Sequence, residues 1–106
     1  MTWRVRLSAA AERDFENILV WTTKNFGARQ AERYAAAILG QIDAIARDPA
    51  TSRCRERSEI GTGFRTLHLP KPGRHFVLYR TEDETHVVIV RLLHDSMELS
   101  RHLAEG

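Results

Sequence analysis

Residues 75–94 contain two consecutive strand-like runs, and this stretch limits the fold more than any other part of the chain. The first run alternates two sets of side chains with the period of a strand: Phe76, Leu78 and Arg80 on one face, His75, Val77 and Tyr79 on the other. A short polar link over residues 81–85 suits a hairpin connection. The second run, residues 86–94, is apolar on both faces, which is typical of a strand inside a sheet. The sequence therefore predicts an antiparallel pair.

Within the second run, strict alternation assigns each side chain to a face. Val87, Ile89 and Leu93 are expected to point one way, and Val88, Val90 and Leu92 the other. Arg91 is the one charged side chain among them. It either contacts a partner or forms an ion pair inside the protein, because buried charges are normally paired.

The first half of the chain reads as a strand followed by two helices. Trp3, Val5 and Leu7 alternate with polar residues, and Ser8 is a suitable helix N-cap. An apolar stripe at helical spacing follows, made of Phe15, Ile18, Leu19, Thr22 and Phe26. Gly27 ends this helix, and the second helix runs from there to Asp48-Pro49. Because the link between the two helices is so short, we expect them to form an antiparallel hairpin.

The remaining segments are a long loop, a further strand and a tail. Residues 48–63 form the loop, with arginines at alternate positions 53, 55 and 57 that would share one side if the chain were extended. A strand is expected over residues 64–69, ended by the prolines at 70 and 72. Asp95 or Ser96 could cap a short C-terminal helix. The predicted class is thus α+β: an N-terminal strand, a helical hairpin on a small, mainly antiparallel sheet, and a short terminal helix.

Length and composition limit the functional classes. A chain of 106 residues corresponds to a single domain, residues 1–106. The N-terminus lacks the apolar region of a secretory signal and no segment is long enough to span a membrane, so we expect a cytoplasmic protein without a membrane partner. Residues 53–80 carry seven Lys/Arg against two Asp/Glu, whereas residues 81–106 carry two against six. The basic segment suits phosphates or an acidic partner, or is simply a solvated surface.

Few residues point to catalysis or to a cofactor. The five histidines lack the spacing of a zinc site, and there is no phosphate-binding glycine motif, so we expect neither metal nor cofactor. Cys54 is expected to be an exposed loop thiol. Several arginines lie on or next to the predicted strands, namely Arg65, Arg74, Arg80 and Arg91, and Tyr79 and His94 are close to them in the sequence. Such a cluster would suit a phosphate backbone or an acidic surface, although salt bridges within the sheet would also explain it.

The whole pattern resembles the ParE toxins of the RelE/ParE superfamily. The most specific part is residues 90–97, Val-Arg-Leu-Leu-His-Asp-Ser-Met, followed by His-Leu at 102–103; residues 74–80 and the opening Leu7-Ser8 with Ala11 and Asp14 agree. The resemblance implies a toxin of a bacterial type II toxin–antitoxin pair. Such a toxin inhibits or poisons DNA gyrase, is neutralised by a ParD-like antitoxin in a hetero-oligomer, and forms no stable direct complex with nucleic acid.

A toxin that acts by binding needs surface residues and no catalytic residues. By resemblance, the residues expected to contact the target or the antitoxin are Arg65, Arg74, Arg80, Arg91, His94 and Met97. Trp21, on the opposite side of the first helix from Phe15, is a further candidate for an antitoxin anchor; alternatively it packs under the long loop.

The superfamily also supplies an alternative activity. RelE-like and YoeB-like members cleave messenger RNA on the ribosome with basic residues and a C-terminal tyrosine or histidine–tyrosine pair. Here the position that carries an arginine in RelE is Phe76, and the tail contains no tyrosine. These departures argue against a ribonuclease, although His94 and His102 leave room for one. An inactive binding module with the toxin fold is the third interpretation.

Overall fold

The computed structural model describes residues 2–96, which form two helices and one mixed five-stranded sheet. The elements are β1 (Arg4–Leu7), α1 (Ala9–Phe26), α2 (Ala28–Arg47), β2 (Arg55–Glu56), β3 (Phe64–His68), β4 (His75–Thr81) and β5 (His86–His94). The strand order is β1-β5-β4-β3-β2. β1 runs parallel to β5, and every other neighbouring pair is antiparallel. The α+β architecture predicted from the sequence is confirmed. The expected terminal helix, which would carry Met97, lies outside the described residues.

Both ends of α1 are fixed by residues that the sequence singled out. Ser8 Oγ accepts a hydrogen bond from the Ala11 N–H at 3.0 Å, as an N-cap does. The same hydroxyl donates to the Val90 carbonyl oxygen at 2.7 Å, so the cap also ties the helix to β5. Gly27 lies between the helices with φ +92°, a conformation that favours glycine, and its N–H bonds the Thr23 carbonyl. α2 begins at the next residue.

The helical hairpin packs on one face of the sheet and makes the core there. Ile38 and Ile45 of α2 are almost completely buried against inward-facing residues of three strands, Leu67, Val77, Tyr79, Val87 and Ile89. Burial of each large apolar side chain contributes about 1.5–3 kcal/mol. Phe76, Leu78 and Val88 are also buried, and strand alternation puts them on the other face of the sheet.

A bulge between β4 and β5 changes the predicted facing of the last residues of β5. Tyr79 pairs with Ile89, but the preceding Leu78 pairs with Arg91, so Val90 is an extra residue in the ladder. Beyond this point the alternation shifts by one. As a result Leu92, and not Leu93 as predicted, joins the core on the helical face. Sequence alternation alone cannot detect an inserted residue whose neighbours are all apolar.

The long loop also contains a short strand that the sequence did not predict. β2 pairs Arg55 with Thr66 and Glu56 with Arg65, so it forms the edge of the sheet next to β3. No helix in the described part of the chain is long and apolar enough to cross a membrane.

Candidate functional site

Polar side chains converge at the end of the sheet where β3 and β5 end and β4 begins. Asp95 follows β5 directly, and its carboxylate accepts hydrogen bonds from Arg74 Nε at 3.1 Å and Nη2 at 3.1 Å. His68 Nε2 donates to the same carboxylate at 2.9 Å. The backbones of Asp95 and Arg74 are also connected, because the Asp95 N–H donates a hydrogen bond to the Arg74 carbonyl oxygen at 2.8 Å. Together His68, Arg74 and Asp95 form what we call the Asp95 clamp, which joins the ends of three strands.

The clamp is strongly ionic. Hydrogen bonds from Arg74 and His68 lower the pKa of Asp95 to about 2, so its carboxylate is ionised at neutral pH. The other ring nitrogen of His68, Nδ1, lies 2.6 Å from the Leu69 carbonyl oxygen. Both ring nitrogens of His68 thus face hydrogen-bond acceptors, the Asp95 carboxylate and the Leu69 carbonyl. The Asp95 carboxylate is therefore held between the Arg74 guanidinium group and the His68 ring.

A second group of side chains links this end of the sheet to α2. The Tyr34 hydroxyl accepts from the Arg74 backbone N–H at 3.1 Å and donates to His75 Nδ1. The His75 ring in turn packs edge-on against His94, with centroids 5.2 Å apart. Burial, with the nearby His94 charge, lowers the pKa of His75 to about 4, so this ring is neutral at physiological pH. The Ser96 N–H donates to His94 Nδ1 at 3.2 Å.

Arg91 is held inside the protein by an ion pair. Its Nε donates to Asp14 Oδ2 at 2.7 Å and its Nη2 to Oδ1 at 3.0 Å, which is bidentate geometry. The Leu92 N–H donates to the same carboxylate at 3.0 Å. The two side chains are 23% and 15% exposed, so most of each is removed from water. Of the two sequence-based interpretations of Arg91, the contacts support the internal ion pair.

The structure does not gather the other predicted arginines at one place. Arg65 lies opposite Tyr79 on the helical face, where it contacts Glu56 at 3.4 Å. Arg80 lies on the outer face, and its guanidinium carbon is 5.8 Å from the centre of the Phe64 ring. Arg74 and His94 are the two predicted residues that come together, on either side of Asp95. Met97 lies outside the described residues.

Trp21 is exposed and does not pack under the loop. Its side chain is 60% exposed and contacts Phe26, which is 65% exposed, with ring centroids 5.8 Å apart. Phe26 was expected on the buried stripe of α1. It is the last residue of the helix and lies next to the turn at Gly27. We call Trp21 and Phe26 the exposed aromatic pair.

Two side chains that could have served catalysis are engaged in the core. Tyr79 is completely buried, and its hydroxyl donates to the Pro49 carbonyl oxygen at 2.6 Å. Burial and the nearby Cys54 raise its pKa, so the phenol stays protonated. Cys54 was expected to be an exposed loop thiol, but it is half-buried and packs against the core. The short strand that follows it holds the loop against the sheet.

Several important residues were missed by the sequence reasoning. Asp14 and Asp95 each hold a predicted arginine, and Tyr34 and His75 connect the hairpin to the sheet. A signal existed for Asp95, since a carboxylate directly after a buried strand must find a partner. Nothing in the sequence marked Tyr34, because it lies at helical spacing from Ile38 and packing in the core would explain it equally well. Among residues 2–96, no group of three or more His, Cys, Asp or Glu side chains is placed to hold a metal ion.

Comparison with known sequences identifies relatives over almost the whole chain. Residues 5–99 match the family model of the ParE toxin of the type II toxin–antitoxin system, parDE. Toxin ParE1 of Mycobacterium tuberculosis (strain CDC 1551 / Oshkosh) is 35% identical over 103 residues, which cover 97% of this chain and 100% of that protein. Toxin ParE1 of Caulobacter vibrioides is 33% identical over 98 residues, covering 92% of this chain and 95% of the relative.

Solved structures show the same fold. A chain of the chromosomal ParDE toxin–antitoxin system from P. aeruginosa superposes with a TM-score of 0.73 at 17% identity, covering 88% of this chain and 96% of that one. A chain of the toxin–antitoxin complex RelBE2 from Mycobacterium tuberculosis gives a TM-score of 0.59 at 26% identity, covering 89% and 99%. The strand and helix order described above is therefore that of toxins in this superfamily.

Proposed function

This chain belongs to the ParE family of toxins of type II toxin–antitoxin systems, and we propose that it acts in the cytoplasm by inhibiting or poisoning DNA gyrase. The observation that carries the proposal is the match to ParE toxins over residues 5–99, which includes every described helix and strand except Arg4, the first residue of β1. As a poison of another enzyme, the protein would work by surface complementarity. The exposed groups of the Asp95 clamp and of the outer sheet face are the surfaces available for that contact.

The side chains that could serve in catalysis are already bonded to other groups of the protein, which supports a function in binding over one in bond cleavage. General acid–base catalysis requires side chains whose reactive atoms can reach the substrate. The Tyr79 hydroxyl is buried and bonded to Pro49, Arg91 is paired with Asp14, and Nδ1 of His94 is bonded to Ser96. These contacts leave the exposed cations Arg74 and Arg80 as residues that a partner could meet without any rearrangement of the core.

A ribosome-dependent ribonuclease remains the competing function, because the RelBE2 chain shares the fold. One experiment separates the two activities. The purified protein is added to gyrase with supercoiled DNA, and in parallel to a translating extract. Loss of supercoiling or accumulation of cleaved DNA supports the proposal. Cleavage of messenger RNA at ribosomal positions with normal gyrase activity refutes it, and activity in neither assay supports the inactive binding module.

We further propose that a ParD-like antitoxin neutralises the protein in a hetero-oligomer and covers the exposed aromatic pair. Trp21 and Phe26 form a projecting apolar patch next to the hairpin turn. Exposed aromatic residues of this kind are enriched at binding hot spots. Lys24 and Arg29 flank the patch in the sequence, so an amphipathic segment with acidic residues would complement it. The proposal predicts a neighbouring small reading frame for a ribbon-helix-helix protein with an acidic tail.

A further inference from the structure

The sheet register places arginines in one row across the outer face. Arg6 of β1 and Arg80 of β4 both pair with Val88 of β5, one from each side. On β3, Phe64 is the pairing partner of Arg80, and the Arg57 N–H, just past β2, bonds the Phe64 carbonyl oxygen. The row therefore runs from β1 across β5, β4 and β3 to the residue that follows β2. Neighbouring strands lie about 4.8 Å apart, so the row spans roughly 19 Å. We call Arg6, Arg57 and Arg80 the arginine row.

The row lies on the face of the sheet opposite the helices. In β1, Val5 and Leu7 pack towards the core, so the exposed Arg6 points the other way. In β4, Val77 and Tyr79 are core residues on the helical face, and Arg80 alternates with them. Arg55 extends the row, because it pairs with Thr66, two residues from Phe64 on the same face of β3. Arg55 and Arg80 are both exposed.

Arg6 and Arg80 are exposed and held loosely enough to accept a new partner, whereas the Arg57 side chain is only 20% exposed. Arg80 stacks over Phe64 and makes no ion pair with any described residue. Arg6 pairs with Glu82 at 2.7 Å, but its side chain is 59% exposed. Arg57 donates to the Thr66 hydroxyl at 2.9 Å and lies 3.6 Å from Glu59, beyond ordinary hydrogen-bond distance. Exposed ion pairs contribute only about 0.2–1 kcal/mol, so a polyanion can replace them.

We propose that the arginine row, with Arg55, binds the phosphate backbone of a nucleic acid. The planar guanidinium fork matches phosphate oxygens bidentately, and the row together with Arg55 supplies four such groups. The inference goes beyond the proposed function, because the protein would bind nucleic acid directly and without gyrase. It is compatible with the sequence-based expectation of no stable direct complex with nucleic acid, because three or four phosphate contacts give weak and salt-sensitive binding.

The direction of the row favours a nucleic acid over an acidic polypeptide. The row runs across the strands, whose backbone groups are already paired from β1 to β2. An acidic segment lying across the face would find no backbone partners there, whereas peptides that join a sheet do so along an edge. A phosphodiester backbone carries its acceptors on the outside and needs no such partners. Its negative charges repeat along its length, as the positive charges do along the row.

The test measures binding of the full-length protein to a fluorescent single-stranded oligonucleotide and to a duplex, from 50 to 200 mM salt. With three or four phosphates contacted on a single strand, affinity should fall roughly 20–50-fold over this range. Arg80→Ala and Arg55→Ala should each weaken binding and make the slope of log affinity against log salt shallower by about 0.7, the value for one lost phosphate contact. Thermal unfolding of each variant verifies that it is folded.

The matched control is Arg47→Ala, which removes the same charge from the exposed end of α2. It should leave the salt slope unchanged. Absence of oligonucleotide binding at 50 mM salt overturns the inference, as does an equal loss in all three variants. Binding of polyglutamate without binding of the oligonucleotide also overturns it and assigns the surface to an acidic protein. Failure of the gyrase assay with intact oligonucleotide binding would refute the proposed function alone.

Discussion

Replacement of Arg91 by alanine should destabilise the protein by about 2–3 kcal/mol. Breaking a fully buried ion pair costs about 3–5 kcal/mol, and an exposed pair contributes about 0.2–1 kcal/mol. The Arg91–Asp14 pair lies between these limits but closer to the buried one, with side chains 23% and 15% exposed. The variant leaves the Asp14 carboxylate with the Leu92 N–H as its remaining described hydrogen-bond donor. It also removes a direct link between α1 and β5, which are 77 residues apart at this contact.

Urea denaturation measures this loss. The midpoint should fall while the m-value stays constant, because the surface exposed on unfolding is almost unchanged. In a domain of this size the melting temperature should drop by roughly 10–20 °C. The double variant Asp14→Ala/Arg91→Ala should be more stable than the sum of the single effects predicts, since it leaves no unpaired charge. A coupling energy of about 1–2 kcal/mol is the expected result.

The same variant distinguishes the two roles considered for Arg91. If the arginine is held for stability, the loss of toxic activity in cells should follow the loss of folded protein, and a stabilised background should restore it. A variant with a change below about 0.5 kcal/mol and no toxic activity would refute the structural role, because that change is within the range of ordinary surface substitutions. Arg91 would then contact the target directly.

Three further predictions concern the core, the aromatic pair and the Asp95 clamp. Ile38→Asp should abolish folding, because Ile38 is 1% exposed, whereas Leu39→Asp, at a site 53% exposed, should give a folded protein by circular dichroism. Trp21→Ser should weaken antitoxin binding at least about thirtyfold in calorimetry without loss of stability, and Val20→Ser should not; equal affinities would exclude the aromatic pair as an anchor. The pKa of Asp95 is about 2 in the folded chain and near 4 when unfolded, so its contribution is complete above about pH 4 and lost as the pH falls towards 2. Asp95→Asn should therefore lower the melting temperature above pH 4, and the difference from the wild type should close at pH 2.

Most helices and strands could be predicted from the sequence, because their boundaries and faces depend on residues that are close together in the chain. Ser8 and Gly27 mark helix boundaries through backbone chemistry, and the alternation of His75 to Arg80 follows directly from the geometry of a strand. The bulge at Val90 escaped prediction because it depends on the register between two strands. The parallel position of β1 beside β5 likewise depends on contacts between distant parts of the chain.

The candidate site was less predictable, because it depends on which side chains meet in space. Arg74 and His94 were selected from the sequence, but Asp95, which binds the Arg74 guanidinium and follows His94 in the chain, was considered only as a helix cap. Arg65 and Arg80 both lie on strands, and a strand alone does not reveal which face the helices cover. The hairpin covers the Arg65 face, so the two arginines serve different surfaces.

The neighbouring positions of β1 and β5 have a consequence for synthesis of the protein on the ribosome. β1 is made before every other described element of the fold, but its partner, residues 86–89, is made about 80 residues later. Until then the N-terminal segment has no neighbour in the sheet, and Ser8 lacks the carbonyl of Val90 to which it donates. The sheet thus stays incomplete until β5 has been made, and long-range pairing of this kind slows its assembly. A truncated product that stops before β5 would contain the helices but would have no partner for its first strand.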